Sequence, residues 1–287
     1  MSSSGIHSAD ASVAVIVLGA RSGTSALAGT LGMLGGTLPK HLMGARSSNV
    51  KGHFEPEDIA NLHDLLLAEV GSAWDDCRAF PQTWYLSPAF PTHLARLRAA
   101  FLNDYGDFTL AVLKEPRMGR LLPLWWRLLQ EVGARPAPVF IYRDATEVAQ
   151  SLSARDASTQ THGLLYWLRN QLDAELFTRG MLRSFVRFDD LLDDWRQVVS
   201  RVETELHVHL PRQCEQSHAE VDAFLEPTLR HHRQCGASCG GADAVADWAQ
   251  AVFECFNALR AKPADYAAMQ ELDQIHSAFD RHIGCRA

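Results

Sequence analysis

The sequence predicts an α/β protein: a P-loop-like, doubly wound parallel sheet with helices on both faces, folded as a single domain. Three observations predict it. Short apolar runs alternate along the chain with segments of helical periodicity, the order that builds parallel strands joined by crossover helices. The first pair, Val13 to Leu34, reads strand, small-residue turn, helix. A second pair, beginning at Pro138, repeats that architecture.

Strands are expected near 13–18, 109–114, 138–142 and 184–188, and helices near 24–34, 119–131, 145–155 and 190–205. Helical patterns near 57–69, 92–103 and 162–179 are candidate walls for a second substrate. Helices near 244–260 and 264–283 would close the C-terminus, and the Gly/Cys-rich stretch 235–242 reads as a loop. Residues 1–12, rich in Ser, Ala and Gly, read as a disordered tail, and 13–287 as the α/β domain.

In the first pair, Val13, Val15, Ile16, Val17 and Leu18 suit a strand buried on both faces. Gly19 and Gly23 permit a tight turn and let the backbone approach a ligand closely. Leu27, Leu31 and Leu34 recur at helical spacing until Gly35-Gly36 ends the run. A helix begun at such a turn aims its unpaired N–H groups, and the positive end of its dipole, at one spot suited to an anion. The spelling departs from a Walker A loop, GxxxxGK[ST]. Its glycines are separated by Ala20, Arg21 and Ser22, and Thr24 stands where the lysine would be. The cation has moved forward to Arg21, and no lysine is placed for γ-phosphoryl transfer.

In the second pair, Pro138 to Tyr142 is a strand with Arg143 at its C-terminal end. Asp144 and Glu147 form a D-x-x-E capping box that opens a helix. Ser151, seven residues after the cap, shares the face on which that helix begins. Arg143 and Ser151 can converge on one phosphate. Two strand-to-helix anion sites on one sheet ask for a ligand with phosphates at separated points.

These residues resemble a known family. GARSGTS, from Gly19, is similar to the 5′-phosphosulfate loop of sulfotransferases, and Arg143 with Ser151 matches their 3′-phosphate pair. LKEPRMGRLLPLWW, from Leu113, and SSNVKGHFEP, from Ser47, are similar to segments of the bacterial and glycan-modifying branch. FLEPTLRHHR, from Phe224, resembles a stretch near that branch's C-terminal nucleotide loop. The resemblance implies the co-substrate 3′-phosphoadenosine 5′-phosphosulfate, the product adenosine 3′,5′-bisphosphate, and in-line sulfuryl transfer to an acceptor hydroxyl with no metal. It implies that Arg21, with the N–H groups of Ser22, Gly23, Thr24 and Ser25, holds the 5′-phosphosulfate, and that Lys114 neutralises charge on the sulfuryl and leaving oxygens. The chain lacks the K-T-H and R-K-G-x-x-G segments of the hormone-and-phenol branch, which speaks against that branch's histidine base, and related branches carry a glutamate in a segment comparable to the one holding Glu55. Glu55 is the first choice, His53 the second and Glu115 the third. Pro56 also makes a helix start plausible, in which Glu55 would be an ordinary N-terminal carboxylate. Two other classes remain: an unusually spelled P-loop kinase, and a nucleotide-binding protein without turnover.

Composition narrows the field. A net charge of −7 argues against nucleic acid as partner. The apolar run after the tail is too short for a membrane span or signal peptide, and with the resemblance this points to a cytoplasmic enzyme. Six cysteines are scattered, as reduced thiols would be. His231, His232, Cys235 and Cys239 cluster but lack a second ligand pair at zinc-finger distance, so no metal is expected. His207 and His209 alternate like strand residues. The acceptor is read as carbohydrate or glycolipid, from the resemblance and from Trp74-Asp75-Asp76 and Trp84-Tyr85, because aromatic faces beside carboxylates are common in sugar sites.

Overall fold

Four parallel strands form one sheet: Val13–Leu18 (β1), Leu110–Leu113 (β2), Arg135–Tyr142 (β3) and Ser184–Arg187 (β4), in the order β2-β1-β3-β4. The structure, a computed structural model, describes residues 12–44, 52–156, 159–225 and 244–285. The expected tail through residue 11, the loop 235–242, and His231, His232, Cys235 and Cys239 lie outside the described residues. So do most of the Ser47 segment before Gly52 and the stretch after Leu225.

The side-chain alternation of β1 shows why the sheet is wound on both faces. Ala14, Ile16 and Leu18 enter one core and Val15 and Val17 the other, all nearly inaccessible. The larger core is covered by Glu57–Glu69 (α2), Phe90–Tyr105 (α3), Met118–Glu131 (α4), Ala145–Asp156 (α5), Gln160–Phe177 (α6), Ala244–Ala261 (α10) and Tyr266–Gly284 (α11). The smaller is covered by Thr24–Met33 (α1), Phe188–Asp193 (α7), Trp195–Leu206 (α8) and Glu215–Phe224 (α9). Among the described residues, no helix is long and apolar enough to cross a membrane.

Three local features differ from the sequence expectation. The strand expected from Pro138 begins at Arg135 and tolerates both Pro136 and Pro138. Arg135 donates its N–H to Ser12 O on the β1 side (2.8 Å), so by alternation both proline nitrogens face the other side. There β4 pairs only from Val139 onward, and no ladder donor is lost. The single helix expected at 190–205 is two, α7 and α8. The chain leaves helical geometry at Asp194 (φ −150°), whose carboxylate caps α8 by accepting from Gln197 N (3.1 Å). His207 is not in a strand; it ends α8 in the left-handed region (φ +50°).

The connection from β1 leads to β2 on one side, and that from β3 to β4 on the other. The crevice beyond the carboxyl ends of β1 and β3 is therefore the topological switch point, where such sheets bind ligands.

Candidate functional site

The loop after β1 needs its glycines. Gly19 (φ +125°) and Gly23 (φ +97°) lie in a region that side chains disfavour. A Cβ on Gly19 would stand 1.9 Å from Ile141 O of β3, and one on Gly23 would stand 2.2 Å from the Phe188 ring. Gly23 is the N-cap of α1, with no side-chain cap and no acidic residue in the first turn. The helix thus presents first-turn N–H donors and its dipole to the crevice. Ser22 shapes the loop from within. Its N–H donates to Gly19 O (3.3 Å), its hydroxyl donates to Ala20 O (3.2 Å), and Trp167 Nε1 donates to that hydroxyl (3.3 Å). Donors for an anion are left to the residues from Gly23 through Ser25 and beyond.

Across the switch point, Arg21 Nη2 donates to Ser151 Oγ of α5 (3.2 Å). Ser151, expected beside Arg143, meets Arg21. Arg143 follows β3 directly, with its guanidinium 5.8 Å from the Phe188 ring centroid and Nη1 4.0 Å from Glu147. Its Nε is buried with no hydrogen-bond partner among the described residues. Burial lowers the Arg143 pKa, Glu147 opposes this, and the neighbouring Arg21 adds to the lowering. Two adjacent cations, one with an unused buried donor, fit an anion. Asp144 caps α5 as expected, accepting from Thr146 N (2.8 Å) and Glu147 N (3.4 Å), while the Glu147 carboxylate turns to Arg143.

Lys114 is the first residue after β2 and is 4% exposed. Its ammonium donates to His53 O (3.0 Å) and Ser25 Oγ (3.3 Å), and forms an ion pair with Glu55 Oε1. Burial lowers the Lys114 pKa, and Glu55 opposes it. Glu55 precedes Pro56, the N-cap of α2, so its carboxylate serves Lys114 rather than the helix terminus. A short backbone pairing holds it there: Met43 N donates to Glu55 O (2.8 Å) and Glu57 N to His41 O (3.1 Å). Gly52 and Phe54 turn the segment through positive φ, and Phe54 packs edge-on against Phe224. His53 Nδ1 lies 3.9 Å from Glu55 Oε1.

Glu115 is engaged elsewhere. One oxygen takes His63 Nδ1–H (2.5 Å) and Arg117 N–H (3.0 Å), and the other is paired with the Arg117 guanidinium. Lys114 and Glu115 line a cleft with Leu18, Gly19, Thr24 and Asn170. Asn170 had no local signal in the sequence, being one polar residue in the middle of α6. Arg187 carries the same local signal as Arg143, a cation at the end of an apolar strand, with Tyr142 opposite it in register.

Of the aromatics read as a sugar platform, Trp84 is buried and Trp74 and Tyr85 are half-buried. Trp84 packs edge-on against Phe80, Tyr85 and Phe90, and Trp74 against Tyr166. Asp76 is bound to Arg78 and Ser72, and Asp75 lies 3.5 Å from His162. Among the described residues, no group of three or more His, Cys, Asp or Glu side chains is placed to hold a metal.

No protein-family model matches the chain, and no curated protein does. Solved structures to which it is similar include two sulfotransferase domains. One is the sulfotransferase domain from the Synechococcus PCC 7002 olefin synthase, at 14% identity over 87% of this chain and 97% of that one, with a TM-score of 0.49. The other is the sulfotransferase domain from the curacin biosynthetic pathway, at 14% identity over 82% of each chain, with a TM-score of 0.41.

Proposed function

We propose that the chain is a sulfotransferase that moves a sulfuryl group from 3′-phosphoadenosine 5′-phosphosulfate to an acceptor hydroxyl. The observation that carries this reading is the convergence at one sheet edge of an uncapped helix N-terminus, the Arg21–Ser151 contact, Arg143 and a buried Lys114–Glu55 pair. The donor supplies an activated sulfuryl: its bond to the acceptor oxygen forms as the bond to the phosphate oxygen breaks.

The first turn of α1 and Arg21 bind the 5′-phosphosulfate, and Arg143 with Ser151 binds the 3′-phosphate. Lys114 balances the charge that grows on the leaving oxygen, the kind of contribution that usually dominates in such sites. Glu55 takes the proton of the acceptor hydroxyl, which generally contributes about 10²–10⁴-fold. Base and stabilising cation are in direct contact, so both act at one point. The acceptor reading of carbohydrate or glycolipid rests on the motif resemblance and on the half-buried Trp74 and Tyr85, since Trp84 is packed into the core. A cytoplasmic site of action rests likewise on the sequence.

Calorimetry with adenosine 3′,5′-bisphosphate, adenosine 5′-monophosphate and ATP–magnesium tests the donor site. Tight, magnesium-independent preference for the bisphosphate is expected. Equal affinity for bisphosphate and monophosphate, or a requirement for magnesium, would overturn the reading. Labelled donor offered to desulfated glycans, glycolipids and small alcohols then identifies the acceptor and separates an enzyme from a binding protein.

A further inference from the structure

Lys114 is flanked by two carboxylates of different character. Glu55 touches the ammonium directly. Glu115, next in the chain, is 2% exposed and has both oxygens occupied by His63 and Arg117. Trp125 Nε1 donates to His63 Nε2 (3.1 Å), so that nitrogen carries a lone pair. The His63 proton therefore sits on Nδ1, and is donated to Glu115. Arg117 is pinned in turn by Asp64 (2.6 Å). Burial alone would raise the Glu115 pKa, but His63 and Arg117 outweigh it and hold the carboxyl below its usual range. Glu115 is a fixed anion, buried and with both oxygens engaged by its own partners.

Resting on the reading above, we infer that Glu115 is a positioning residue. Locked by His63 and Arg117, it is the permanent counter-charge that keeps Lys114 an ammonium when Glu55 takes up the acceptor's proton. Once Glu55 is neutral, the ion pair has lost its negative partner, and a buried ammonium without a counter-charge tends to release its proton. That would remove the cation as the leaving oxygen gains charge. Environments that push two carboxylates apart divide their roles, one exchanging a proton and one staying ionised. The charged and titratable groups about Lys114 are Glu55 and His53 from the segment before α2, and Arg21 from the loop after β1. Glu115 and Arg117 come from its own loop, and His63 and Asp64 from α2. Of these carboxylates, Glu115 is the one that is buried and held through both oxygens without touching the ammonium.

The chain has four lysines, Lys40, Lys51, Lys114 and Lys262, so ¹³C-lysine labelling of the full protein resolves Lys114 by NMR, with Lys114→Arg identifying its signal. Glu55→Gln mimics the protonated base. In it, Lys114 is expected to remain an ammonium at neutral pH. Adding Glu115→Gln is expected to lower the Lys114 titration midpoint by about one pH unit or more. Arg117→Met in the Glu55→Gln background removes a cation from Glu115 and is expected to move the midpoint the other way. An unchanged midpoint in the Glu115→Gln double variant overturns the inference. Should that variant fail to fold, an Arg117→Met midpoint that stays or falls overturns it. Bisphosphate calorimetry on the unsubstituted protein is read separately. Loss of that binding with the expected lysine titrations would sink the sulfotransferase reading and leave the Glu115–Lys114 relationship standing.

Discussion

Arg21 and Ser151, 130 residues apart in sequence, meet through a 3.2 Å hydrogen bond across the gap between β1 and β3. The strands make this possible. Leu18 stands opposite Phe140, so the loop leaving β1 and the helix following β3 start from neighbouring points on one edge. The two anion sites proposed here therefore share a wall, and a ligand holding both must span the switch point.

Arg143→Ala is expected to weaken bisphosphate binding about ten- to several-hundred-fold, by removing one or two charge-assisted bonds of about 1.5–3 kcal/mol each. Monophosphate affinity should barely change, so the discrimination collapses. Calorimetry on both nucleotides checks it, and a variant binding the bisphosphate at full strength would make Arg143 a bystander.

Glu55→Gln is expected to keep bisphosphate affinity within a few-fold while turnover drops by about two to four orders of magnitude. His53→Ala is the matched comparison, because His53 lies against Glu55. Near-normal turnover in Glu55→Gln, or a collapse confined to His53→Ala, would move the base to another side chain.

Gly19→Ala is expected to cost about 3 kcal/mol or more in a denaturant titration and to abolish nucleotide binding. Its Cβ would sit on the backbone oxygen of Ile141, which cannot swing aside. Gly71→Ala is the contrast. It has positive φ (+66°) but open space around it, so only the backbone penalty of about 1–2 kcal/mol applies. Equal losses at the two sites would show that the approach of β3 is not what demands Gly19.

Asp76→Asn is expected to destabilise the protein by about 1 kcal/mol at pH 7, a small figure because Arg78 is largely in solvent. Burial works against the carboxylate, but its bonds to Arg78 and Ser72 prevail and hold the pKa at about 2, below the usual 3.8. A lowered folded-state pKa adds stability above the unfolded value, and that stability is lost as pH falls through the folded one. The difference between Asp76→Asn and the parent in thermal melts should thus shrink between about pH 4 and pH 2. A difference that persists undiminished at pH 2 would assign the loss to packing.

Much of this was legible in the sequence because the elements carry their own periods. β1 has no polar residue to confuse a strand buried on both faces, and Arg21, Lys114 and Arg143 each follow such a run. What escaped depended on three-dimensional neighbours. Nothing local says that Pro136 and Pro138 aim at a vacant side of β3, or that Asp194 divides a helix by capping its second half. Ser22 reads like any other loop donor until Trp167, 145 residues away, is found on its hydroxyl. Trp74, Trp84 and Tyr85 read equally well as platform or core, and only packing decides between the two. Glu115 reads as a spare base in the sequence, because its partner His63 comes from α2, 52 residues away, and is itself held by Trp125 of α4.

The prolines of β3 also govern how the sheet can be assembled. A strand sliding along β3 toward its amino end would meet two positions with no hydrogen to offer, so β4 can zip up only from Val139. That stop goes with a register in which Tyr142 faces Arg187, one position short of Arg143. It also leaves the lower flank of β3 a poor template for a strand from another molecule, a safeguard against association during folding.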